Sequence, residues 1–108
     1  MCLFFPDKIA SGFGMTVTPV MIMMIREAGA CNLSMGYLNF FVRNHGDSKS
    51  MKIILLFNML YHLLILPANL YGWSQGILDP SQVGTAFGIH LLLAIGFLFY
   101  TLKIKTSA

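Results

Sequence analysis

Three long apolar stretches separated by short polar turns set the pattern of this chain. From about residue 83 to 102 no charged side chain occurs, and the run stops at Lys103 and Lys105. A second uncharged run extends from about 53 to 73 and contains Pro67. The first stretch is less regular: residues 9–25 are uncharged, Arg26 and Glu27 intervene, and residues 28–42 are uncharged again. A hydrocarbon layer about 30 Å thick is crossed by roughly 20 helical residues, so each stretch has the length of a span. Two spans within 9–42 would leave no loop between them, so one helix is predicted there. Thr18 is a suitable N-cap and Pro19 a suitable first helical residue, because the N–H that proline lacks is not needed in the first turn.

The expected fold is therefore all-α: a transmembrane helical bundle forming a single membrane domain over 1–108, with spans at about 19–42, 53–73 and 83–102. Residues 4–15, with Pro6, Gly12 and Gly14, become an interfacial segment or short helix along the membrane surface. The alternative starts the first helix near Lys8 and breaks it between Gly12 and Pro19.

The turns supply an independent criterion. Residues 43–50 and the Gln75-Gly76 and Asp79-Pro80-Ser81 segments are polar. With three spans, Arg43, Lys49, Lys52, Lys103 and Lys105 share one side, and only Lys8 lies on the other. Cationic loops stay on the cytoplasmic side, which predicts a multi-pass protein with its N-terminus out and its C-terminus in. Trp73, Tyr71 and Tyr100 fall near predicted span ends, where amphipathic rings sit at the headgroup level.

Composition narrows the class further. Hydrophobic residues make up 56% of the chain and charged residues 10%, where a soluble domain has about 25% charged residues. Too little polar surface exists to clothe a globule. The net charge of +3 is small and dispersed, which argues against nucleic acid. Cys2 and Cys31 form no CxxC pair and no disulfide framework. No basic segment precedes the first apolar residues, and Pro6, Asp7 and Lys8 interrupt them, so no cleavable signal peptide is expected.

Polar groups inside a span are costly, and they mark where helices meet or where chemistry occurs. In the first span Gly29, Asn32, Gly36, Asn39 and Arg43 recur at three- and four-residue spacing, a stripe of small and polar positions. In the second, Asn58, His62, Ile65 and Asn69 share a face, and Pro67 releases the backbone carbonyl of Leu63. The third has Gly84-x-x-x-Gly88, the spacing that lets helix backbones approach closely. Its His90 lies on nearly the opposite side, with Val83, Phe87, Ala94 and Phe97. Helix packing accounts for all of these positions.

His62 and His90 also admit a second role. Both fall near mid-span on adjacent antiparallel helices, and imidazole is an axial ligand for haem iron or chlorophyll magnesium. Bound lipid is the other expected non-protein component. Arg26 and Glu27 are buried charges in this scheme. Adjacent residues on a helix diverge by about 100° and do not face one another, so each needs its own partner. Arg26 can snorkel outward. Glu27 reaches less far and is the better proton-handling candidate.

Ala86 four residues before His90 is similar to the Ala-x-x-x-His spacing of bacterial light-harvesting polypeptides. More broadly, Phe4-Phe5-Pro6-Asp7-Lys8-Ile9, Gly14, Thr18-Pro19 and the run Arg26 to Gly36 resemble a diffuse group of small uncharacterised multi-pass membrane proteins. That resemblance implies a four-helix bundle whose first helix would precede the Phe-Pro segment. It implies no activity.

No Gly-rich phosphate loop, metal cluster or nucleophile–base pair points to an enzyme. The expectation is an accessory or structural subunit, packed by lipid and by the other transmembrane subunits of a photosynthetic or respiratory type of complex. A haem- or chlorophyll-binding subunit using His62 and His90 is the first alternative. A small transporter or membrane enzyme using Glu27 is the second.

Overall fold

The computed structural model describes residue 2 and residues 4–105. The described residues form four helices: α1 (Pro6–Gly12), α2 (Pro19–Val42), α3 (Lys49–Ser74) and α4 (Pro80–Lys103). They fall into two compact units, Met1–Asn44 and His45–Ala108.

In the first unit α1 opens on Pro6, where the missing N–H costs nothing, and carries Asp7 in its first turn. Gly14 follows the helix at φ 68°, and the chain turns there toward α2. The Thr18 hydroxyl accepts from the Met21 N–H at 3.2 Å and caps α2 directly before Pro19. The α1 helix packs on α2, with Pro6 and Ala10 buried on α1 and Gly29 buried on α2. Within α2 the Ser34 hydroxyl donates to the Ala30 carbonyl at 2.9 Å, which satisfies it without water. At the helix end the Arg43 guanidinium donates to the Phe40 carbonyl at 2.6 Å and lies 3.6 Å over the Phe40 ring.

The second unit is an antiparallel helical hairpin. Ser48 caps α3 by accepting from the Met51 N–H at 3.1 Å. Asp79 caps α4 through the Ser81 and Gln82 N–H groups, and the Gln82 side chain returns to accept from the Asp79 N–H at 3.1 Å. That reciprocal box satisfies the orphan donors of the first turn. Between the helices Gly76 adopts φ 67°, a left-handed conformation that glycine takes without strain. It donates to the Trp73 carbonyl at 2.9 Å while Ile77 donates back to Gly72 at 2.9 Å. A Cβ on Gly72 would meet the Leu78 side chain at 3.3 Å, so Gly72 is the notch into which the turn folds.

Both α3 and α4 are long and apolar enough to cross a membrane. They are apolar on every side: Leu64, Leu92 and Leu102 are 63%, 73% and 75% exposed, and most other large apolar residues of the hairpin are also exposed. A water-soluble protein rarely leaves apolar surface of this extent uncovered. The core helix of a soluble domain would be mostly buried, and these two are not. The α2 helix has comparable length, but Arg26, Glu27, Asn32 and Asn39 interrupt its apolar character.

Candidate functional site

The two hairpin helices meet along a narrow seam, and the seam is where the polar residues of their interiors collect. At its centre the Nδ1 atoms of His62 and His90 lie 2.8 Å apart, a hydrogen bond in which one imidazole N–H donates to the unprotonated nitrogen of the other. The ring centroids are 5.1 Å apart, and the Phe97 ring stacks on His62 at 5.7 Å with the planes 9° from parallel. His62 follows Lys49 by thirteen residues and precedes Ser74 by twelve, so the pair sits near the middle of α3.

A second hydrogen bond fixes the same alignment far away. The Lys105 backbone N–H donates to Asp47 Oδ2 at 3.0 Å. Asp47 lies fifteen residues before His62 and Lys105 fifteen after His90, so one register holds along the helix pair. In that register Asn58 and Ala94, each four residues from its histidine, fall opposite one another; Met51 and Thr101 do so eleven residues away. All four are buried. The steps Met51, Asn58, Ile65, Gly72 on α3 and Val83, His90, Phe97 on α4 are seven residues long, the period of helices that wrap around each other.

Asn58 and Thr101, buried along the seam, each donate to a carbonyl of their own helix. Asn58 is fully buried and its Nδ2 donates to the Ile54 carbonyl at 2.8 Å. Thr101 donates to the Phe97 carbonyl at 2.7 Å. Asn69, seven residues beyond His62, is the exception: its Nδ2 is buried and finds no partner among the described residues.

The geometry bears directly on metal or macrocycle binding. An iron or zinc ion bound to two imidazoles sits about 2 Å from each nitrogen, so opposite axial ligands lie roughly 4 Å apart. The two Nδ1 atoms are closer than that and already bonded to each other, and Phe97 occupies a face of His62. A metal held between the two Nδ1 atoms does not fit this spacing. Ala86 and His90 both lie half-buried on α4.

The remaining positions singled out by sequence distribute as follows. Gly84 and Gly88 face away from α3, and a Cβ at either meets nothing within 4 Å. In α2 Gly29 is buried, Asn39 half-buried, and Asn32 and Gly36 exposed. Arg26 and Glu27 are exposed in the isolated chain and form no ion pair among the described residues. Asp79 and Gln82, in a segment expected only as a polar turn, form a capping pair whose sequence signal is Asp-x-x-Gln ahead of an apolar run. The Asp47–Lys105 tie has no sequence signal, because it depends on the register of two helices.

Comparison with models of known protein families, with curated proteins and with solved structures gave no match.

Proposed function

We propose that this chain is a small accessory subunit that crosses the membrane three times, through α2, α3 and α4, and packs within a larger membrane protein complex. The observation that carries this proposal is the bare apolar surface of the α3–α4 hairpin outside its narrow seam. Lipid covers such a surface, and other transmembrane helices cover it better where small residues allow close approach, as Gly84 and Gly88 do. Arg26 and Glu27 add a second argument. In a membrane-spanning α2 they call for partners, and none stands among the described residues. The hairpin lysines, Lys49, Lys52, Lys103 and Lys105, all lie at its open end; by the positive-inside rule that end is cytoplasmic, and three crossings then place the N-terminus outside. The histidine pair serves in this scheme as a polar clasp between α3 and α4.

The test is extraction from native membranes in a mild detergent, followed by size-exclusion chromatography with mass determination. Co-migration with larger membrane proteins is expected, weakened by harsher detergents that compete for the apolar faces. A monodisperse monomer under the mildest conditions rejects the subunit role and favours a stand-alone protein.

A further inference from the structure

The open end of the hairpin concentrates lysine charge that no ion pair among the described residues neutralises. Antiparallel register sets Lys49 opposite Lys103, thirteen residues from His62 and from His90 respectively, with Lys52 one turn further in and Lys105 just beyond α4. None of the four forms an ion pair among the described residues. Asp47 is the one side-chain carboxylate near them in sequence among the described residues, and it accepts from the Lys105 backbone N–H. That bond ties the segment after α4 to the entrance of α3 and holds the lysines of both helices together. The Lys103 ammonium lies 4.2 Å over the Phe99 ring, so it stands at the boundary between the apolar helix surface and the polar end. The opposite end of the hairpin, around Gln75–Asp79, carries no lysine or arginine and has Asp79.

We infer that this end is a docking surface for anionic phospholipid headgroups. The inference rests on the proposal that α3 and α4 cross the membrane, which sets four ammonium groups at headgroup depth on one leaflet. A lipid phosphate supplies negative charge to these lysines, and its acyl chains lie along the exposed apolar sides of the same helices. Each lysine near an anionic bilayer surface strengthens association roughly fivefold, so four lysines less one aspartate supply a preference on the order of a hundredfold.

The experiment is native mass spectrometry of the full chain purified in a neutral detergent, titrated with phosphatidylglycerol or with phosphatidylcholine of the same acyl chains. Preferential retention of phosphatidylglycerol, at least tenfold, is expected, and it falls on raising the salt concentration. The variant Lys49→Gln/Lys52→Gln/Lys103→Gln/Lys105→Gln should bind the two lipids equally, while Lys8→Gln keeps the preference. Circular dichroism confirms that both variants retain their helix content. Equal binding of the two lipids by the unmodified chain overturns the inference, as does a preference that survives the fourfold substitution. An acidic soluble polypeptide that binds this end while the lipids do not discriminate also overturns it, in favour of a protein partner. Alkaline carbonate treatment of the membranes separates the two levels. Release of the protein overturns the membrane proposal and this inference together, whereas retention without lipid preference overturns this inference alone.

Discussion

His62 and His90 bond to each other through Nδ1 at 2.8 Å, twenty-eight residues apart in sequence and near the middle of two apolar helices. If α3 and α4 cross the membrane as proposed, neither imidazole has water to turn to, and each is the other's principal polar partner. Their bond works as a register pin. A slip of α4 by one residue along α3 would rotate His90 by about 100° around its helix and leave both rings unpaired.

Breaking this pair from one side should cost more than removing it altogether. His62→Leu or His90→Leu leaves a lone imidazole in an apolar seam. The double substitution leaves no orphan and adds packing area. Interhelical hydrogen bonds in membranes average about 0.6 kcal/mol and reach roughly 1.7 kcal/mol. Each single variant is expected to melt below the unmodified protein in mild detergent, and the double variant to recover most of that loss. Thermal circular dichroism on the four proteins of the cycle measures the coupling; additive losses would show that the two rings act independently.

Ala94 is 3% exposed, and the register places it against fully buried Asn58. Only a small side chain fits there. Ala94→Phe should push the helices apart and destabilise the hairpin by about 1–3 kcal/mol, the usual cost of overpacking. Leu92→Phe, two residues away on the exposed face, provides the control and should leave the melting temperature unchanged. Equal effects from the two substitutions would contradict the seam described above.

The start of α2 was legible in the sequence, and the seam was not. Thr18-Pro19 announces its helix start through local chemistry and the cap forms there, whereas α3 and α4 begin at Lys49 and Pro80, a few residues ahead of the apolar runs, because Ser48 and Asp79 in the polar turns cap them. Facing directions are harder. The outside of α3 is apolar and carries no polar face to mark it, and the stripe of Asn58, His62 and Asn69 marks a side without saying which element meets it. Asn58, His62 and Asn69 could be grouped on one face and His90, Ala94 and Phe97 on another, but their meeting depends on the turn at Gly76. The stripe on α2 shows the same limit. Spacing groups Asn32, Gly36 and Asn39 on one side of the helix and is silent about what covers that side.

The Asp79 cap predicts a pH dependence with a definite sign. Its carboxylate accepts from the Ser81 hydroxyl at 2.6 Å and from the Gln82 N–H at 2.9 Å. These bonds, the hydroxyl first, hold its pKa below the ordinary carboxylate value. Because the folded value is the lower one, the stabilisation is complete above the unfolded pKa of about 3.9 and is lost as pH falls through the folded value. Acidification below pH ~4 should therefore lower the melting temperature. In Asp79→Asn, which still caps but does not titrate, the drop should be smaller. Identical acid responses would show that the charge on Asp79 contributes nothing to the cap.

The three-span proposal makes a labelling prediction. Single cysteines at Ser48 and Gln75, in a background with Cys2 and Cys31 replaced by serine, lie at opposite ends of α3. A membrane-impermeant maleimide applied to intact cells should reach Gln75→Cys and not Ser48→Cys. Labelling of both from one side would rule out a transmembrane α3, and the reverse pattern would invert the orientation.

Gly84 and Gly88 separate what the hairpin needs from what the proposed partner would need. A side chain at either position would enter open space, so the isolated chain has no packing to lose there. Both positions also lie in a helix where leucine is a better helix former than glycine, by up to ~1 kcal/mol at each site. Gly84→Leu/Gly88→Leu should thus insert normally and melt at or above the temperature of the unmodified protein when purified alone. Within native membranes the expectation reverses. Two leucines on a face that meets another helix at close range hold the backbones apart and remove the van der Waals contact on which membrane helix association depends. The doubly substituted protein should then lose its co-migration with larger species while its own hairpin stays intact. Loss of both together would place these glycines inside the fold of the single chain, and retention of both would show that the partner docks elsewhere.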